Sequence, residues 1–302
     1  MQIEELKKFS KEISSKIYFD YDLKKSNWFN IGGKTKAYFK PDNLPDLILF
    51  LKKFGIKEKI YILGAGSNTL ISDKTFEGVV IKLGKNFSNI SILPNGVIIA
   101  GSVCSDKKLS DFALEKEISG FEFLACIPGT IGGGLKMNAG CFNKEFKDIL
   151  ISIQAVNREG KVITIPANKV IFQYRNNDLP NDLIFLSASF KGKKNNKDKI
   201  KKEIFELKKR KDSIQPTKIK TSGSTFKNPI NQSNKKVWEL IKESVPLNLS
   251  FGDACISSKH CNFFVNKKNA SFEDMNKLIE FVQESVKKKT GIILEKEIKI
   301  LE

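Results

Sequence analysis

A single histidine, His260, and three arginines, Arg158, Arg175 and Arg210, are all that this 302-residue chain offers of two side chains central to much active-site chemistry. Cysteine is nearly as sparse: Cys104, Cys126, Cys141, Cys255 and Cys261, an odd number with no Cys-x-x-Cys pair. That spacing excludes a disulfide framework. With one histidine it also argues against a metal site, so none is expected. The thiols read as free, reduced and mostly buried. No apolar run approaches the roughly 20 residues of a membrane-spanning helix. The opening Met1-Gln2-Ile3-Glu4-Glu5-Leu6-Lys7-Lys8 shows no basic segment followed by an apolar one. A cytoplasmic protein is therefore expected, with no membrane insertion.

What is present points to a globular chain. Apolar residues make up 40%, with 23 phenylalanines, and charged residues 28%, so real cores are available and wholesale disorder is excluded. The length suggests two domains or three small ones. Net charge is +18, but the basic residues are almost all lysines scattered among acids. The densest stretch, Lys191 to Lys211, carries eleven Lys or Arg together with Asp198, Glu203 and Glu206. It reads as a solvated helix face preceded by a loop, so no nucleic-acid partner is expected. The surplus charge favours anionic small substrates by long-range attraction.

Periodicity predicts helices over 3–17, 44–54, 109–116, 199–211, 235–243 and 272–289. Strands are predicted at 59–63, 79–83, 97–101, 150–157, 161–165, 183–190, 262–266 and 292–300, with a hairpin turn at Asn157-Arg158-Glu159-Gly160. Helices and strands intermix without strict βαβ repetition, which gives an α+β class.

Two glycine-dense loops stand out. Gly64-Ala65-Gly66-Ser67-Asn68 follows an apolar strand. Its glycines admit an anion close to the backbone and its side chains add donors. A tight strand-to-turn connection explains it equally well. The second loop, Gly120 to Gly140, holds six of the chain's 20 glycines and little charge. That density, with so little charge, is not expected to pack as an ordinary helix or strand, and its natural use is a backbone surface wrapped around a flat polar ligand.

Seven motifs, in order, carry a resemblance: Asn30-Ile31-Gly32-Gly33; Leu63 to Asn68; Gly120 to Gly140 with Ile127-Pro128-Gly129-Thr130 and Met137-Asn138-Ala139-Gly140; Tyr174-Arg175; Gly223 to Pro229; His260-x-Asn262-Phe263; and Leu294-Glu295-x-Glu297. Over nearly its whole length the chain resembles the UDP-N-acetylenolpyruvoylglucosamine reductase family, shorter subtype. The resemblance implies a two-part FAD-binding region of the vanillyl-alcohol-oxidase (PCMH) type, 1–84 and 85–198. A substrate-binding α+β domain follows over 199–302, its terminal strand returning toward the flavin. It implies non-covalent FAD, NADPH as co-substrate and a monomer. The reaction that the resemblance implies is reduction of the flavin by NADPH, hydride transfer from the flavin to C3 of an enolpyruvyl ether, and protonation at C2 to give UDP-N-acetylmuramate for peptidoglycan precursors. FAD-binding positions carried over are Gly64, Ala65, Gly66, Ser67, Asn68, Ile127, Pro128, Gly129, Thr130, Gly132, Gly133, Asn138 and Gly140. Tyr174, Lys227 and Asn228 are carried over as substrate-binding.

The catalytic set implied is Arg175, Ser224 and Glu297. A permanent cation suits the substrate carboxylate, and arginine binds it in bidentate fashion better than lysine. Ser224 matches the proton donor, although its loop position alone reads as a plain hydrogen bond. Glu297 matches the catalytic glutamate, yet alternation places Glu295 on the same strand face, and spacing does not choose between them. The sequence departs from the family at Cys126, where glycine is common, at Asn176-Asn177 after Tyr-Arg, and at Pro246 in the 243–252 connection. An extra substrate-clamping loop and its tyrosine have no counterpart. Another FAD-dependent oxidoreductase of the same fold, or a non-enzymatic basic binding protein, are the alternatives.

Overall fold

In the computed structural model residues 2–217 and 219–302 are described. The chain forms two compact units, each built from separated segments: residues 1–19, 37–65 and 77–211 in the first, and 20–36, 66–76 and 212–302 in the second.

The first unit contains two hydrophobic cores. One lies under a four-stranded sheet ordered Lys16–Asp22, Lys34–Lys40, Phe76–Ile81, Ile60–Ile62. Helices α1 (Ile3–Phe9) and α2 (Leu44–Phe54) supply its apolar side chains. Helix α2 starts where Asn43 accepts the Asp46 amide at 2.8 Å, and its Leu47, Phe50, Leu51 and Phe54 recur at helical spacing and are all buried. Phe39 and Phe50 pack with centroids 4.5 Å apart. Aromatic pairs of this kind add about 0.5–1.5 kcal/mol beyond the area they bury.

The second core packs on an antiparallel sheet ordered Val162–Pro166, Leu150–Val156, Ile184–Phe190, Ile98–Gly101, Ile90–Ile92. The predicted hairpin is present, with Val156 opposite Val162. Ile184 and Leu186 enter the first core and Phe185, Ala188 and Phe190 the second; the register shift opposite Gln154–Ala155 breaks the simple alternation between Phe185 and Ser187 and turns the later side chains to the other face. Helix α3 (Asp106–Glu115) covers the second core and begins where Ser105 accepts the Lys108 amide at 3.2 Å. Helices α4 (Ile131–Lys136) and α5 (Lys197–Ile214) complete the list here. Of α5 only Ile200 and Ile204 are buried, in keeping with the solvated face read from its lysines.

The second unit contains α6 (Val237–Ser244), α7 (Phe272–Thr290), a small sheet of Ser250–Phe251, Ala254–Ile256 and Phe264–Asn266, and the parallel pair Thr69–Ile71 with Lys299–Leu301. Helix α7 opens with a reciprocal Ser271–Asp274 capping box and stops at Gly291, whose φ is +75°. Its Met275, Leu278, Ile279, Val282 and Val286 face a core shared with Phe29, Ile31 and Leu70.

Three expectations are corrected. The first helix ends at Phe9, because Ile17 and Phe19 alternate with polar residues and form the half-buried strand Lys16–Asp22. The glycine run 132–134 is helical, not irregular. Gly134 is packed against the Phe146 ring, and a side chain at Gly132 would crowd Ser102 at 3.1 Å, so close packing overrides poor helix propensity. Only Lys299–Leu301 of the terminal segment is a strand. Residues 295–298 instead place their backbone groups on Thr225 and Lys227.

Candidate active site

In the first unit the two glycine-rich loops meet. A Cβ built on Gly64 would touch only the Thr130 hydroxyl, at 3.2 Å, and one on Gly133 the same hydroxyl at 3.6 Å. Thr130 caps α4 by accepting the Gly133 amide at 3.5 Å. Gly64, Thr130 and Gly133 therefore share a face of bare backbone. It is held from behind by Ile131 N–H donating to Cys104 C=O and Gly132 N–H to Ser102 C=O, both at 2.9 Å. Gly129 has φ +157°, at the border of the region where a β-branched residue is strained. Nothing but the Thr130 hydroxyl lies within 4 Å of a Cβ at Gly64 or Gly133, so the space over this face is open to a flat ligand, and these residues suit FAD.

Asn138 anchors the end of the same loop. It is fully buried with φ +41°. Its amide nitrogen donates to Glu145 Oε2 at 3.0 Å and to the Gln173 carbonyl at 3.1 Å, and its oxygen accepts the Lys147 amide at 3.1 Å. Its side chain is thus engaged in tying loop to loop. Gly140 has the Lys144 carbonyl and Glu145 packed where a Cβ would sit.

Tyr174 and Arg175 lie at the turn between Phe172–Gln173 and Asn176–Asn177. Arg175 takes φ +54°, rare for a branched-free cation and typical of residues held for a purpose. Its guanidinium donates to the Gly140 carbonyl at 2.6 Å and lies 5.1 Å from the Tyr174 ring centroid. Asn177, a departure from the family pattern, has a defined task. Its amide donates to the Leu135 and Lys136 carbonyls at 3.0 and 2.9 Å, closing the C-terminal end of α4, while its oxygen accepts the Leu179 amide at 3.1 Å.

In the second unit Gly66 takes φ +69° and abuts the Ser26 carbonyl. Asn68 donates to the Glu297 carbonyl at 3.0 Å and accepts the Lys299 amide on its own carbonyl at 2.9 Å. Glu297 N–H donates to Thr225 C=O at 2.8 Å. Ser224 bridges to Phe263 and Phe226 to Lys296. Asn68, Ser224 and Glu297, 73 to 229 residues apart in sequence, are thereby set on adjoining backbone. Glu295 takes another course: its carboxylate pairs with Lys227 Nζ at 2.5 Å, the glutamate side chain 71% exposed and the lysine 12%. Asn228 Oδ1 accepts the Val237 amide at 3.0 Å, at the start of α6.

The sequence places Asn262 in a motif but assigns it no role. It is buried, accepts the Phe226 amide at 3.0 Å and donates back to the Phe226 carbonyl at 2.9 Å, which fixes the Ser224–Phe226 segment. A buried asparagine beside the lone histidine was the available signal. His260 itself packs on Phe263 with centroids 4.7 Å apart, and burial lowers its pKa.

Comparison with known proteins agrees with this geometry. Residues 35–166 match the FAD binding domain family, and residues 215–301 the UDP-N-acetylenolpyruvoylglucosamine reductase C-terminal domain. The chain is 80% identical over 301 residues to the UDP-N-acetylenolpyruvoylglucosamine reductase of Pelagibacter ubique (strain HTCC1062), covering all of both. It is 45% identical to that of Rickettsia bellii (strain RML369-C), covering 93% of this chain and 92% of the relative. The crystal structure of the Thermus caldophilus enzyme superposes with a TM-score of 0.82 at 28% identity, over 95% of this chain and 99% of that one. The chain belongs to the UDP-N-acetylenolpyruvoylglucosamine reductase family, a family of FAD-binding oxidoreductases.

Proposed function

We propose that this protein reduces UDP-N-acetylglucosamine enolpyruvate to UDP-N-acetylmuramate at the expense of NADPH, a step in peptidoglycan precursor synthesis, and that it works as a monomer in the cytoplasm. FAD, when bound, supplies the hydride relay from NADPH to the substrate. The bare backbone face of Gly64, Thr130 and Gly133 is the observation that carries this reading. With Ala65, Ile127, Pro128, Gly129 and Gly132 it would hold the flavin, and Gly66, Ser67 and Asn68 are proposed as further cofactor-binding positions. The proposed division of the chain is 1–84 and 85–198 for the FAD-binding region and 199–302 for the substrate domain; two separate hydrophobic cores within the first unit support two FAD-binding subdomains.

The roles proposed for this chain's own groups follow from charge development. Arg175 neutralises the enolpyruvyl carboxylate as negative charge spreads into it. Its contact with Gly140 and with the Tyr174 ring holds the guanidinium for that task. Ser224 donates the proton to C2, and its extended backbone, paired to Phe263, fixes where the hydroxyl sits. Glu297 stabilises or relays that proton. Lys227 and Asn228 serve the diphosphate, the lysine exchanging its Glu295 partner for phosphate oxygens. The test is NADPH oxidation by the flavin-loaded protein with and without the UDP-enolpyruvyl sugar. Oxidation dependent on the sugar, with one equivalent of lactyl ether formed per NADPH, is expected. Oxidation that ignores the sugar would refute the assignment.

A further inference from the structure

The second glycine-rich loop is bracketed by two cysteines. Cys126 ends the short turn Glu122–Cys126, directly before Ile127-Pro128-Gly129, and Cys141 directly follows Gly140. The Gly140–Cys141 strand packs against that turn. The Cys141 thiol donates to the Phe123 carbonyl at 3.3 Å, and the Cys126 side chain lies within hydrogen-bonding reach of the Cys141 thiol. Cys126 is buried and Cys141 partly exposed. The thiols of Cys104 and Cys261 instead engage backbone carbonyls, of Ser105 at 3.4 Å and Trp238 at 2.9 Å.

We propose that Cys126 and Cys141 are a redox pair which peroxide converts to an intramolecular disulfide, closing residues 127–140 into a covalent ring. The Cys141 thiolate, on the exposed side, attacks one peroxide oxygen. The O–O bond breaks, a sulfenic acid forms, and the departing hydroxide takes a proton to become water. The Cys126 sulfur then attacks the sulfenic sulfur. The S–S bond forms, the S–O bond breaks, and the hydroxyl leaves with the Cys126 proton as a second water. Two thiols give up two hydrogens and two electrons; peroxide accepts both and becomes two waters. Arg175 and Lys211 favour the Cys141 thiolate, but hydrogen bonding to Cys126 and burial outweigh them and hold its pKa far above the ordinary thiol value. The reaction is accordingly slow at neutral pH and faster in base.

The experiment treats the flavin-loaded protein with hydrogen peroxide, denatures it, alkylates free thiols and maps the peptides by mass spectrometry. The mass is expected to fall by two hydrogens, alkylated thiols to drop from five to three, and a Cys126–Cys141 cross-linked peptide to appear. The rate should rise at least about tenfold from about pH 7 to about pH 9. Cys141→Ser should yield no cross-link, and Cys126→Ser should leave a sulfenic acid at Cys141 that dimedone captures. Alkylation of both Cys126 and Cys141 after treatment, or the same two-hydrogen loss in Cys141→Ser protein, would overturn the proposal.

Discussion

Replacing Glu297 by Gln tests the site most directly, because the structure isolates what the change removes. The Glu297 backbone is pinned at both ends, its N–H on Thr225 and its carbonyl under the Asn68 amide. Neither bond involves the carboxylate, so both survive while the charge and titratable proton are lost. Loss of a general acid–base group costs about 10²-fold or more in kcat. At 1.36 kcal/mol per tenfold that is about 2.7 kcal/mol of transition-state stabilisation. The internal control is Glu295→Gln. Glu295 is largely exposed and paired with Lys227, and exposed pairs contribute about 0–1 kcal/mol, so its kcat should change by less than about fivefold. Its effect should instead appear in KM for the UDP sugar, since Lys227 is released from its carboxylate partner. Steady-state kinetics on both variants, with FAD content measured, separates the two. A larger fall in kcat for Glu295→Gln than for Glu297→Gln would refute the reasoning.

Ser224→Ala should keep NADPH-driven flavin reduction near normal in rapid-mixing spectra while turnover of the enolpyruvyl sugar falls by about 10²-fold or more; near-normal turnover would remove Ser224 from the mechanism. Gly129→Val should fold but lose FAD, because φ +157° and the approach of a flat ligand both disfavour a branched side chain; full flavin stoichiometry after purification would contradict this. Asp106 is wholly buried at the start of α3 with neither carboxylate oxygen hydrogen-bonded, and burial raises its pKa well above the usual carboxylate range. The folded state thus binds that proton more tightly than the unfolded chain, so its stabilising contribution is complete below about pH 3.8 and is lost as pH rises through the raised folded pKa. Asp106→Asn should raise Tm at neutral pH by about 2 °C or more, with the gain vanishing near pH 4 in a calorimetric series.

Much of the fold was written in local pattern. Helices α2 and α7 were legible because capping residues, apolar spacing and end signals agree, and the Val156–Val162 hairpin because its turn lies between alternating strands. Local signals failed where distant packing decides. No propensity anticipates three glycines in α4, since Gly134 is demanded by the Phe146 ring and Gly132 is crowded by Ser102, both remote in sequence. The terminal segment was read as continuous strand because alternation is indifferent to whether partners exist over its length; Lys299–Leu301 finds Thr69–Ile71, and the preceding residues find Thr225 and Lys227 instead. In the site the loops and Arg175 were legible through unusual composition. The pairing of Glu295 with Lys227 was not, because the two lie 68 residues apart. The purpose of Asn177 was equally hidden, since it is a cap for a helix sequence alone did not reveal.

The strand pair Thr69–Ile71 with Lys299–Leu301 also bears on how the chain emerges from the ribosome. At about 5–20 residues per second, Ile71 waits roughly 10 to 45 seconds for its partner. Through that interval Phe29, Ile31 and Leu70 have no core to enter, because the α6 and α7 side chains that enclose them are not yet made. These are the side chains a nascent-chain chaperone would find uncovered. For the same reason residues 215–301, contiguous as a family match, are not contiguous as a folding body. Excised alone, that fragment would lack three of its own core residues and the strand that receives Lys299–Leu301.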